Sequence, residues 1–155
     1  MCLVIDTCTL ASVFNPQDKN HGNFYPVRKW IVERDGKMVF GGSKYKRELK
    51  KMPKYLPIIA ELQRAGKCVL LDDFLVDDKE NDIKRKYIYR DFDDVHIVAI
   101  VIVSRVRIIC TNEKRAIPWY KKKELYPKGI KKPKLYTSKN NRNLLKRKHI
   151  VQLCK

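Results

Sequence analysis

The apolar run Met1-Cys2-Leu3-Val4-Ile5 ends in an acid, Asp6, and three more acids punctuate the chain in a similar way. Glu48 is the only acid among Lys44, Lys46, Arg47, Lys50 and Lys51. Asp94 precedes the apolar run 95–103, and Glu113 follows Thr111-Asn112 at the end of the run 107–111. Carboxylates that a fold crowds into one pocket cannot all stay ionised unless a compensating charge joins them. An oxygen-rich set of this kind suits a hard divalent cation, Mg²⁺ or Mn²⁺, held by few carboxylates and several waters. Each acid also has an ordinary use: Asp6 can cap a helix, and Glu48 can pair with lysines one helical turn away. The elements that carry them decide between these uses.

An apolar run that is β-branched near its end reads as a strand buried on both faces. Asp6 then sits at the strand's carboxyl end, the edge where open α/β sheets bind ligands, and Thr7 or Thr9 starts a helix beyond it. Residues 15–35 are mixed, and Trp30-Ile31-Val32-Glu33 begins either a helix or a strand. Asp35-Gly36 is a turn signal, and Met38-Val39-Phe40 a short strand, so this region reads as a hairpin-like insertion. Ser43 is expected to cap a helix through about Met52, with Tyr45, Leu49 and Met52 on its apolar stripe and Glu48 sharing that face. Pro53 breaks it, and a helix beginning at Pro57 stops at Ala65-Gly66. The run 67–71 is a second buried strand, followed by Asp72-Asp73 and a polar helix or long loop over 77–90. Propensity alone makes 95–103 a strand. An acidic start at Asp93 or Asp94 and a better strand at 107–111, with a poor turn between them, favour a buried helix. A helix from Glu113 to about Glu124, interrupted by Pro118, comes next. Such alternation predicts a mostly parallel sheet between helices, a three-layer α/β/α sandwich. Its strand ends line one edge, so Asp6, Glu48, Asp94 and Glu113 are expected to meet in one pocket.

At 155 residues the chain has the length of one domain. We divide it into a main body over 1–125 and a basic extension over 126–155 that docks on it through Leu144-Leu145 and Ile150-Val151-Leu153. No segment reaches the length of a membrane span, and no basic region precedes the first apolar run, so no signal peptide is read. Five cysteines form no CxxC pair; Cys2, Cys68 and Cys110 lie in apolar runs and are expected to be reduced, buried thiols of a cytoplasmic protein. The three histidines offer no zinc spacing. The net charge of +18 is uneven: 114–155 holds 15 Lys/Arg against Glu124 (+14), whereas 1–113 holds 20 against 16 acids (+4). Such a tail favours RNA or DNA, the alternative being a solvated tail that aids solubility. Lys44, Lys46 and Arg47 flank Glu48, and Lys114 and Arg115 follow Glu113, so phosphates can be held beside the acids. Tyr126 and Tyr136, interleaved with lysines, are candidates to stack on unpaired bases.

Four pieces of the chain, in order, resemble the PIN-domain nucleases over roughly residues 1–120. They are Asp6-Thr7-Cys8 after the first strand, Gly41 to Leu49 with Glu48, Asp93-Asp94-Val95-His96-Ile97-Val98-Ala99, and Thr111-Asn112-Glu113-Lys114. The resemblance implies hydrolysis of phosphodiester bonds in single-stranded RNA with Mg²⁺ or Mn²⁺. It casts Asp6 and Asp94 as direct ligands and Glu48 as holder of a metal-bound water or as base. Glu113 becomes the fourth acid, orienting a second water, and Thr111 the hydroxyl near the metal. It also implies a small stand-alone nuclease of the toxin kind, restrained by an antitoxin protein, and a homo-oligomer formed through apolar surface such as 30–32 is compatible with it. The chain departs from the family pattern where Glu113 replaces the commoner Asp and Cys8 the frequent Asn, and in lacking small residues after Ala99. These departures leave room for a PIN-like protein that binds nucleic acid and barely cuts. A receiver domain needs an acid pair after its first strand, where only Asp6 stands. A haloacid-dehalogenase-type phosphatase needs an acid at position 8, where the chain has Cys8.

Overall fold

In the computed structural model, which describes residues 2–88, 90–146 and 151–155, Cys2–Ile5 forms strand β1 and lies at the centre of the sheet. Every residue of β1 is buried, as its unbroken apolar run requires. Lys37–Phe40 (β2), Cys68–Leu70 (β3), Ile108–Cys110 (β4) and Lys134–Tyr136 (β5) complete an all-parallel sheet in the order β3-β2-β1-β4-β5. The α/β sandwich expected from the alternation of elements is therefore present, with helices covering the sheet.

The helices are Leu10–Phe14 (α1), His21–Glu33 (α2), Ser43–Lys50 (α3), Leu56–Arg64 (α4), Asp73–Lys86 (α5), Val95–Ser104 (α6) and Ile117–Tyr120 (α7). α6 lies against β1 and β2 and carries α5 on its outer side, while α1 and α2 pack on each other. The β-branched run 95–103 is helical despite its strand propensity. It is buried nearly throughout, and a helix pairs its interior backbone groups locally, without strand neighbours.

Several expectations fail for identifiable reasons. The region read as a hairpin-like insertion holds α2 and then β2, whose pairing with β1 is parallel; Phe24, Val27, Trp30 and Ile31 give it a buried helical stripe. Ser43 does not cap α3. That position belongs to Gly42 at φ +87°, while Ser43 donates its backbone N–H (2.8 Å) and hydroxyl (2.5 Å) to the Asp77 carboxylate. β3, read as buried, is an edge strand with Leu70 half exposed. The helix expected over 113–124 shrinks to α7 and a 3₁₀ turn at Lys123–Leu125. Tyr126 and Tyr136 are buried, donating their hydroxyls to the carbonyls of Tyr120 (2.9 Å) and Asn23 (3.0 Å), so they form core and not a base-stacking surface. The extension from 126 supplies β5, and Val151 is buried, while Ile150 lies outside the described residues. Cys2 is no free thiol: it is bonded to Cys154, an outcome hidden in the sequence because 152 positions separate the two. Cys68 and Cys110 are free, Cys110 buried as expected and Cys68 only partly so. No helix among the described residues is long and apolar enough to cross a membrane.

Candidate functional site

β1 delivers Asp6 to the carboxyl edge of the sheet, where its backbone N–H donates to the Cys110 carbonyl (2.9 Å) and prolongs the β1–β4 ladder. The side chain is buried and makes no helix cap; its Oδ2 accepts hydrogen bonds from the hydroxyls of Thr111 and Tyr120, each at 3.0 Å. Those two donors come from the ends of β4 and α7, so three elements fix one carboxylate.

Glu48 arrives by a different route. Tyr45 on α3 is fully buried and donates its hydroxyl to the Ile5 carbonyl (2.6 Å), which sets the rotation of the helix against β1. Glu48, three residues on, then faces the sheet edge. Its Oε2 accepts from Thr7 Oγ1 (2.6 Å) and lies 3.2 Å from His96 Nε2. Burial of Glu48 opposes ionisation, but the hydrogen bonds and charge of His96, the Thr7 hydroxyl and the Lys44 charge outweigh it, leaving the carboxyl below its usual range.

Asp94 stands at the start of α6 without capping it through its side chain. Burial, followed by the charge of Asp6, pushes its carboxyl up to about 6, against the opposing pull of His96 and Lys44. Glu48, Asp94 and His96 each offer a ligand atom, all within 4.8 Å of one another. Asp6, Glu48, Asp94 and Glu113 line a single cavity of about 220 Å³, with Asp91, Asp93 and Arg115 at its rim.

No family model, no curated protein and no solved structure matches the chain.

The site therefore stands on its own geometry. All four acids singled out in the sequence border the cavity. Glu113 is tied within its own loop: its Oε1 accepts the Arg115 backbone N–H (3.0 Å), with the Arg115 guanidinium 3.9 Å away. Thr111 is fully buried, holds Asp6, and accepts the Glu113 N–H on its hydroxyl (3.0 Å). Among the expected phosphate contacts, only Arg115 lines the cavity. Lys44 Nζ donates to the Asp93 carbonyl, Lys46 is paired with Asp73 (2.6 Å), and Arg47 and Lys114 face solvent.

Sequence reasoning missed His96, Thr7 and Tyr120. Spacing to other histidines tests His96 only as a zinc ligand, whereas its partner is the distant Glu48. Its buried Nδ1 has no hydrogen-bond partner. Cys8 also borders the cavity as an exposed thiol, and partial desolvation followed by the Asp6 charge opposes loss of its proton. Asn112 ties the loop after β4 to the one after β1, accepting from Thr9 Oγ1 (3.1 Å) and donating to Ser12 Oγ (2.9 Å).

The donor set fits a divalent cation. Carboxylates predominate, one of them resists ionisation because of its burial and then the Asp6 charge, and an imidazole adjoins them. An imidazole beside carboxylates is more congenial to Mn²⁺ than to Mg²⁺, which favours oxygen and water.

Proposed function

We propose that the protein is a divalent-metal-dependent nuclease of the PIN type that hydrolyses single-stranded RNA. The observation that carries the reading is the convergence of Asp6, Glu48, Asp94 and Glu113, from four separate parts of the chain, on one cavity at the carboxyl edge of a parallel sheet. Asp6 and Asp94 are the ligands we assign to Mg²⁺ or Mn²⁺, with Glu48 and His96 beside them and Glu113 farther out. When bound, the cation lowers the pKa of a coordinated water and neutralises charge gathering on the phosphate. The protein's own groups supply position. Thr111 and Tyr120 hold Asp6, Thr7 and His96 hold Glu48, and Arg115 stands at the rim where a phosphate enters. Glu48 sits within reach to orient or deprotonate an attacking water.

A protein with this site needs restraint in its own cell, and we assign that role to an inhibitory partner that occludes the cavity, as in a toxin–antitoxin pair. The second reading, a binding protein that barely cuts, draws on one observation: Glu113 is turned onto the Arg115 backbone. Incubation of labelled single-stranded RNA with Mn²⁺ separates the two. Metal-dependent products that vanish in Asp6→Asn support the nuclease, whereas tight binding without products supports the binding protein.

A further inference from the structure

Away from the acids, two more hollows share a wall. One, of about 890 Å³, is built by residues 123–132. The other, of about 510 Å³, lies among the end of α6, the start of β4 and the C-terminal turn. Gly129, Ile130 and Lys131 belong to both. Lys123, Lys128 and Lys132 line the first and Arg105 and Arg107 the second, with Lys131 between. None of these cations has an ion-pair partner among the described residues, and Glu124 is the one acid on either wall. Cations left unpaired on a concave surface repel one another, and a chain of phosphates relieves that repulsion while releasing its own counterions. Val103, Ile130 and the half-exposed Leu153 add apolar surface on which an unstacked base can rest.

Arg105 contributes a second observation. It is the only non-glycine with positive φ among the described residues, at +60° as the C-cap of α6. The backbone there favours glycine, yet the position holds a cation that lines the hollow.

Arg107 immediately precedes β4 and Thr111 to Glu113 follow it, so this hollow and the acid cavity lie toward opposite ends of one strand. At about 3.3 Å per residue the two are roughly 15–20 Å apart. Arg115, at the rim of the acid cavity, begins the stretch of chain that leads through Lys123 to Lys132.

We propose that single-stranded RNA is bound along a basic track running from the acid cavity over residues 123–132 to the Arg105–Arg107–Lys131 hollow, so that the strand is gripped at a distance from where it is cut. The identity and direction of the strand rest on the nuclease reading; the grip itself needs no metal. The test is fluorescence anisotropy with labelled single-stranded RNA of about 12 nucleotides, a length within the range such surfaces take up, in EDTA. The variant combines Arg105→Gly, Arg107→Ala and Lys131→Ala, and a charge-matched control combines Lys50→Ala, Lys51→Ala and Lys54→Ala.

The track variant is expected to bind more than tenfold more weakly, with a salt slope shallower by about 2, as follows from losing three phosphate contacts. Its melting temperature should hold or rise, because glycine suits the conformation at position 105. The control should bind within about threefold of wild type. Unchanged affinity and slope in the track variant, or equal losses in both variants, overturns the proposal. So does displacement of the RNA by a mononucleotide at equal phosphate concentration, which marks a small-ligand site instead. A wild type that binds in EDTA with this dependence yet yields no metal-dependent products counts against the nuclease reading and upholds the track.

Discussion

Burial and the charge of Asp6 push the Asp94 carboxyl up to about 6, and that shift has a sign that can be measured. An acid whose native pKa exceeds its unfolded value binds more protons when folded, so its contribution to stability falls as pH rises from about 4 through about 6. Asp94→Asn removes that cost. We expect the variant to lose RNA cleavage while melting at or above the wild-type temperature at about pH 7, with the gap closing toward about pH 4. Calorimetric melting of both proteins across that range checks it, and a large loss of stability at neutral pH would return Asp94 to a purely structural role. His96 yields a different expectation. Removing it by His96→Ala leaves Glu48 with Thr7 alone and costs about 1–3 kcal/mol of stability through lost packing and hydrogen bonding. His96→Gln, whose amide nitrogen reaches toward the Nε2 position, should recover part of the cleavage rate lost in His96→Ala. Equal rates in the two variants would deny His96 a positioning role. These residues also mark the limit of what was legible. Asp6, Asp94 and Glu113 were readable because each ends or opens an apolar run, and Glu48 because it shares a stripe with Tyr45 and Leu49. His96, Thr7 and Tyr120 were not, because their purpose is set by partners 48, 41 and 114 residues away.

The orientation of α3 decides whether Glu48 reaches the cavity, and that helix is anchored at its N-terminal half. Tyr45 pins its inner face to β1, and Gly42 at φ +87° lets the chain turn beneath α5, where a Cβ would stand 2.6 Å from Val76 Cγ1. Gly42→Ala therefore meets both a disfavoured conformation and a clash. It should cost about 2 kcal/mol or more, and loosen metal binding by displacing Glu48. Urea denaturation measures the first and a Mn²⁺ titration the second; a loss under about 0.5 kcal/mol would show that α3 accommodates the change. The α3 stripe and the α6 run were legible from period and caps. The α2–β2 region was not. Its short strand carries no signal that separates a hairpin from a parallel neighbour, and parallel pairing is settled by β1 and β3 on either side.

Across the whole molecule, the acids gather at one edge of the sheet while the C-terminal third carries most of the excess positive charge. That third is more than a tail. It supplies β5, packs Tyr136 under α2, and returns through Cys154 to Cys2 at the start of the central strand. Closing a loop of that length stabilises a fold by roughly 2–5 kcal/mol in the chain-entropy account. The double variant Cys2→Ser, Cys154→Ser should thus melt earlier, while retaining cleavage and Mn²⁺ affinity, because the bridge lies at the opposite end of β1 from Asp6. Lost metal binding in a folded double variant would mean that the bridge supports the site. Composition showed the excess of charge; the closure escaped it because two cysteines at the chain ends look no different from buried thiols. The proposed cleavage depends on the acid cavity accepting a cation, and electron paramagnetic resonance of Mn²⁺ titrated into the protein tests this directly. The account predicts loss of the free-ion signal at about one ion or two per chain in the wild type, and its persistence in Asp6→Asn with Asp94→Asn. Equal uptake by both proteins, or none by either, would contradict it.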